Sequence, residues 1–360
     1  MQRNALDILA IGALNIDYIA DINVDAVEHR GLVEALRAQF RWGSETPVAP
    51  TIFTELLTVL NAHIGSTRLG GSAFNAIRAA RAINSELHLG YLGTIGDSED
   101  ARGFADWFDR HIIETPFVTV ASGTAPGACL AITIDGERTL VTTRGANDRT
   151  AQSLRDQAPH IVGWAAAAAW IHVTSFLDDA APAALVPILA TCLRRNPALR
   201  ISVDPGAIWA ARHATDESIR RLFDLAALIF VNVEEFEMLW GDGVVSPADF
   251  TRCIRSSFEG SAEILLKSPD GLMLFGADSR LIDAHRHQRI AASEITDPTG
   301  AGDVVAGAYL AAMLEPAVSP GAALAAASGI ARAALKEGHQ AEAIYPRLFA
   351  KALAASHRPT

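Results

Sequence analysis

Apolar residues recur along this chain in two rhythms, short alternating or continuous runs typical of strands and longer stretches at helical spacing. Leu6 to Leu14 predicts a buried strand ending at Gly12, and Tyr18 to Val24 an alternating, half-exposed one. Helical patterns follow at Val27 to Phe40 and Thr51 to Ile64, divided by Gly43, Pro47 and Pro50. Gly70-Gly71 opens a helix reaching about Ile83, Leu87 to Leu92 is a strand, and Asp97 or Ser98 caps a helix to His111. Between Thr115 and Thr143 the runs Phe117 to Ala121, Ala128 to Ile134 and Arg138 to Thr142 alternate, with Asp135-Gly136 as a hairpin signal. They predict a small antiparallel sheet, partnered by Tyr18 to Val24.

From Gly145 onward strand and helix patterns alternate: Ala168 to Val173 with Pro182 to Arg195, Arg200 to Val203 with Asp216 to Phe223, Leu228 to Val231 with Glu234 to Trp240. Such alternation predicts a parallel sheet with helices on both faces. Ile264 to Lys267 and Gly271 to Phe275 predict a hairpin, and Pro320 to Lys336 and Pro346 to Ala355 closing helices. The expected architecture is therefore α/β, a doubly wound, mostly parallel sheet flanked by helices, in one domain over 1–360. A discontinuous β lid, about 15–66 and 115–144, interrupts it.

Half of the 360 residues are apolar, a fifth are charged and the formal net charge is −11, with the arginines scattered. That excludes a basic footprint for nucleic acid or an anionic membrane. No apolar run approaches the roughly 18 to 20 residues of a membrane span, and Ile8 to Ile16 lacks the basic start of a signal peptide. Cys129, Cys192 and Cys253 are odd in number and far apart, which predicts reduced thiols and a cytoplasmic protein. Eleven histidines show no metal-site spacing, and His285-Arg286-His287 predicts a solvated turn.

The chemistry concentrates in Asp297-Pro298-Thr299-Gly300-Ala301-Gly302-Asp303, which runs directly into a segment, Val304 to Leu314, apolar on all sides. An all-round apolar helix is buried, so its N-terminus is fixed in direction. The unpaired N–H groups there, approached over Gly-Ala-Gly, form a cradle for an anion. A carboxylate in that cradle, Asp303, suits a base that takes a proton from an attacking hydroxyl. A helix cap is the plainer alternative. Asn15 and Asp17 follow the first strand, where α/β sheets bind ligands.

In sequence order, Gly12 to Asp17, Gly70-Gly71 with Asn75, Gly93 to Asp97, Gly145-Ala146-Asn147, Asn232 with Glu235, and Asp297 to Asp303 resemble the ribokinase-like (PfkB) carbohydrate and nucleoside kinases. The resemblance implies ATP-dependent phosphorylation of a hydroxyl, with Asp303 as base and the backbone of Gly300, Ala301 and Gly302 as anion hole. It implies an acceptor site at Asn15, Asp17, Gly70, Gly71 and Asn75, and an ATP site at Asn232, Lys267 and Gly271. Asn232 and Glu235 are expected to order Mg²⁺ through water, unless they only cap a helix, and Asp297 to hold a monovalent cation such as K⁺. Family members often pair through their lids, so a homodimer is a further expectation. A non-catalytic sugar or nucleotide sensor on the same fold is the alternative; a nicotinamide dehydrogenase is excluded because Gly12-Ala13-Leu14-Asn15 supplies no G-x-G-x-x-G.

Two departures bear on specificity. Leu266 to Gly271 lacks the middle glycine of the family's T-x-G nucleotide loop, and the long excursion from Asp25 to Ile64 resembles the adenosine-kinase branch. Sugar-phosphate kinases of the family commonly carry a Lys where this chain has Ser72, which points to a neutral acceptor, a nucleoside or a free ribose-like or ketohexose sugar. Phe74 either stacks on a nucleobase or belongs to the core. Arg68 and Arg78 are near enough in sequence to serve a phosphorylated acceptor instead.

Overall fold

A computed structural model describes residues 6–22, 29–175, 178–241, 246–257 and 260–356. Among these, fourteen strands form two sheets. The larger begins with β1 (Ile8–Ile11), flanked in parallel by β5 (Leu89–Gly96) and β9 (Trp170–Thr174). Beyond β5 lies β6 (Glu114–Ala121), and beyond β9 lie β10 (Arg200–Asp204), β11 (Leu228–Asn232) and β12 (Glu263–Ser268), all parallel. β13 (Gly271–Phe275) and β14 (Leu281–Arg286) complete that edge antiparallel.

Successive side chains of these strands enter opposite cores, as the pleat requires. Ile8 and Ala10 join one buried cluster, Leu9 and Ile11 the other. The first core is closed by α3 (Ser72–Ile83), α4 (Glu99–Arg110), α11 (Ala301–Leu314), α12 (Pro320–Glu337) and α13 (Tyr345–Ser356). The second is closed by α5 (Thr150–Ala165), α6 (Ala181–Arg195), α7 (Gly206–Arg212), α8 (Glu217–Asp224), α9 (Val233–Trp240) and α10 (Pro247–Ser257). As the all-round apolar pattern predicts, α11 is buried from Val304 to Ala312. Its Gly307 lets α3 come so close that a Cβ there would meet the Ala76 carbonyl oxygen at 2.1 Å.

The smaller sheet has the order β3 (Glu45–Pro47), β8 (Glu137–Thr143), β7 (Gly127–Ile134), β2 (Asn15–Ile22), β4 (Ile64–Gly70). Its outer face carries a third apolar cluster, in which Ile22, Leu130 and Val141 pack against Val33 and Leu36 of α1 (Arg30–Gln39) and Phe53 and Leu56 of α2 (Pro50–Leu60).

Several expectations are corrected. Phe117 to Ala121 belongs to the large sheet, where β6 pairs with β5; its alternation is that of an edge strand, a pattern blind to which sheet owns the edge. The small sheet is mixed, since β2 with β7 and β3 with β8 run parallel. The helix predicted to Ile64 stops at Leu60, and the alternating, β-branched run from Ile64 becomes β4. His285 and Arg286 end strand β14 and are no turn, while His287 Nδ1 lies 2.8 Å from Ser328 Oγ. The strand from Leu87 starts at Leu89 and continues to Gly96, and Ser98 is the cap of α4. Helices α5, α7 and α10 have no counterpart among the predicted elements. Asn23, Val24, Asp25 and Val27, at the predicted end of one strand and start of one helix, lie outside the described residues.

Candidate active site

The carboxyl ends of β10, β11 and β12, the N-terminus of α11 and the inner side of the small sheet enclose a cleft of about 670 Å³. Asp303 stands in the first turn of α11, half-buried, with Oδ2 accepting from Asn75 Nδ2 at 3.0 Å. Gly300, the helix N-cap, has φ +76°, a left-handed conformation that glycine adopts without strain. It turns the loop so that Gly300 and Gly302 face the cleft. Burial raises the Asp303 carboxyl to about 6, Asp204 adds to the rise, and Asn75 and Lys267 oppose it.

The acceptor-side residues are gathered on the opposite wall. β2 supplies Asn15 and Asp17, both buried, and α3 supplies Ser72 and Asn75, with Gly71 as its N-cap. Gly70 ends β4 opposite Asn15 and stays behind this wall. Asn147, fully buried, fixes the start of β2. Its Oδ1 accepts from Leu14 N at 3.1 Å and its Nδ2 donates to Asn15 Oδ1 at 3.0 Å. Asp17 is pushed to about 7, by burial first and then by Asp303.

On the nucleotide side, Lys267 Nζ lies 2.6 Å from Asp204 Oδ2 in a pair that is nearly closed to solvent. Burial works against the ammonium, but Asp204 and Glu235 outweigh it and hold its pKa above the ordinary lysine value. The same ammonium borders Gly302, 3.4 Å from where a Cβ would stand. Asn232 and Glu235 form a capping box at the start of α9. Asn232 Oδ1 accepts from Glu235 N and Glu235 Oε2 from Asn232 N, both at 2.8 Å. The helix-cap alternative therefore holds, and the pair still lines the cleft. Glu235 is raised to about 7 by burial, with Lys267 opposing.

Not every predicted residue comes to this cleft. Gly271 lines a neighbouring groove with Pro269, Asp270 and Arg286. Asp297 faces away, its Oδ2 bound by the Arg68 guanidinium and its Oδ1 accepting from Thr299 N at 2.8 Å. Phe74 is fully buried, edge-on to Phe104 and Trp107, so it is core and offers no stacking face. Residues the sequence did not single out also line the cleft: Arg41, Glu45 and Arg138 from the small-sheet side, and Met238 from α9. Glu45 accepts from Thr142 Oγ1 at 3.0 Å and is pushed by burial to about 7. Arg138 donates to Thr299 Oγ1 and so ties β8 to the glycine loop. An exposed-looking Ser-Glu-Thr stretch gave no signal of this. Among the described residues no three His, Cys, Asp or Glu side chains are grouped to chelate a metal.

Residues 51–344 match the family described as pfkB family carbohydrate kinase. The chain belongs to the pfkB family of carbohydrate kinases. Solved kinase structures share its fold at low identity. Adenosine kinase from Anopheles gambiae aligns with TM-score 0.76 and 16% identity over 93% of this chain and 97% of its own. Ribokinase from Giardia lamblia aligns with TM-score 0.71 and 15% identity over 97% and 100%. Ribokinase from Cryptococcus neoformans var. grubii serotype A, solved with ADP, aligns with TM-score 0.68 and 14% identity over 96% and 99%. The doubly wound core and small sheet expected from sequence are thus the fold of this pfkB kinase, and family membership makes it a phosphotransferase. No described helix is long and apolar enough to cross a membrane.

Proposed function

We propose that this kinase transfers the terminal phosphoryl group of ATP to a hydroxyl of a small neutral nucleoside or free sugar. The observation that carries the reading is Asp303: a carboxylate raised to about 6, in the first turn of α11, between the glycine loop and the Asn15–Asp17–Asn75 wall. An acceptor hydroxyl on that wall loses its proton to Asp303 as its oxygen attacks phosphorus, and ADP leaves with the cleaved bond's electrons. The N–H groups of Ala301 and Gly302, with Lys267 beside Gly302, receive the charge on the transferring group. Asp17, Asn15 and Asn75 supply acceptors and donors for hydroxyls.

The nucleotide phosphates fit between Lys267, Asn232 and the loop, with the groove at Pro269 to Gly271 beyond them. The ADP held by the ribokinase neighbour supports this side of the reading. An oxygen-only donor set with a buried carboxylate, Asn232 and Glu235, suits Mg²⁺, which keeps several waters and needs no all-protein cage. When bound, the ion neutralises phosphate oxygens. The small sheet acts as the lid over this cleft.

Arg68 and Arg78, candidates for holding a phosphorylated acceptor, are committed to Asp297 and Glu342, which favours the neutral acceptor. Arg41 and Arg138 on the cleft wall are the observation favouring a second reading, a sugar phosphate. A thermal-shift panel of nucleosides, free sugars and sugar phosphates with a non-hydrolysable ATP analogue separates them, followed by ADP release with each hit. A shift confined to sugar phosphates selects the second reading. Binding without ADP release for every hit would return the chain to a sensor.

A further inference from the structure

The monovalent cation that the family resemblance places at Asp297 does not fit this chain. Both carboxylate oxygens of Asp297 are engaged, Oδ2 by the Arg68 guanidinium and Oδ1 by the Thr299 N–H. Asp297 is held below the ordinary carboxylate range: burial would raise it, but Thr299 and Arg68 prevail. Behind it lies a cavity of about 20 Å³ walled by Asp297, Ala334, Gly338 and Glu342, room for one water. A second guanidinium is on that wall, since Arg78 Nε stands 3.0 Å from Glu342 Oε1 with the Arg78 side chain 15% exposed. An ion entering there would meet two carboxylates already neutralised and a like charge at short range.

We propose that Arg68, backed by Arg78, supplies in covalent form the positive charge that a monovalent cation would bring to this loop, so that phosphotransfer by this chain needs no K⁺. The inference rests on the kinase reading above. Asp297 opens the loop whose backbone reaches Gly300 and Gly302, and an uncompensated carboxylate at that point would oppose the arrival of phosphate. A guanidinium is always charged, and it holds its carboxylate by directed hydrogen bonds where a bound ion does not. It also differs from an ion in origin. Arg68 sits on β4, opposite Asp17 of β2, so the charge arrives with a strand of the small sheet and not from solvent. Arg68 is thus a positioning residue: it touches Asp297 and acts on the phosphoryl site through the loop.

The test compares turnover of the wild-type enzyme in choline chloride with turnover in KCl, NaCl and CsCl at constant ionic strength, alongside melting temperature in the same salts. Wild-type turnover should be equal within twofold in all of them, and KCl should not raise the melting temperature above the choline value. Arg68→Ala should lose about 10- to 100-fold in kcat, with part of the loss restored by added guanidinium or by K⁺. K⁺-stimulated turnover in the wild type, a K⁺-specific rise in its melting temperature, or a fully active Arg68→Ala would overturn the inference. Should Arg68→Ala fail to fold, the wild-type salt series decides alone. Absence of turnover in every salt would instead refute the kinase reading, and the melting series, which needs no activity, would still decide on the cation.

Discussion

Asp303→Asn should make the enzyme slower and more stable together. The carboxyl rises from 3.8 to about 6, chiefly because charge is disfavoured at the cleft floor. A raised acid gives stability that is complete below its unfolded pKa and lost as pH climbs through the folded value. At about 1.36 kcal/mol per pH unit, the ionised group costs the fold up to roughly 3 kcal/mol at pH 8 and about half that at pH 5. Asparagine carries no such penalty, and its side-chain oxygen still accepts from Asn75. Without the base, turnover should fall by about 10² to 10⁴, or roughly 3 to 5 kcal/mol on the barrier. ADP release gives the first effect, and urea unfolding at pH 8 and pH 5 the second. A variant as fast as wild type, or one less stable than wild type at pH 8, would refute the assignment and its electrostatics.

Other outcomes follow from the same geometry. The rate should decline as pH falls through about 6, and Asp204→Asn should move that limb to lower pH, because it removes a negative neighbour of Asp303 and releases Lys267 to act on it; a limb that stays in place would show that Asp204 does not set it. Phe74→Ala should cost about 3 to 5 kcal/mol in unfolding free energy and leave the ratio of nucleoside to sugar turnover unchanged, which parallel melts and assays would read. Hydrogen exchange in β7 and β8 should slow when acceptor and an ATP analogue are bound, whereas β6, a strand of the core sheet, should exchange alike in both states.

The α/β character of the core was legible because its strands are buried on both faces and most are followed by a helix, as Leu228 to Val231 is by Glu234 to Trp240, whereas α5, α7 and α10 were missed. Val304 to Leu314 was legible as buried since it has no polar side. The assembly of Asn15, Asp17, Asn75, Asn232, Lys267 and Asp303 around one cleft came from matching motifs, as no local pattern links residues so far apart. Sheet membership was the weak point. Phe117 to Ala121 and Ala128 to Ile134 have similar local patterns, yet they lie in different sheets, a choice made by tertiary contacts. Arg138 and Glu45 escaped notice because a charged side chain on an alternating strand resembles a solvated one. Arg68 was seen only as a spare cation, and its partner Asp297 lies 229 positions away.

Because α1 and α2 shield the outward face of the small sheet with their own apolar residues, that sheet is a body with a greasy interior of its own. Its cleft side is mixed, with Asp17, Glu45, Arg41 and Arg138 beside Cys129 and Leu140. Ile16 and Leu69 of the same sheet join the core beneath it, and two arginines reach from it to the glycine loop, Arg68 in an ion pair with Asp297 and Arg138 in a hydrogen bond to Thr299. Of these ties only the Arg68–Asp297 pair is ionic, so added salt loosens the lid proposed above at that one point and leaves its apolar seat untouched.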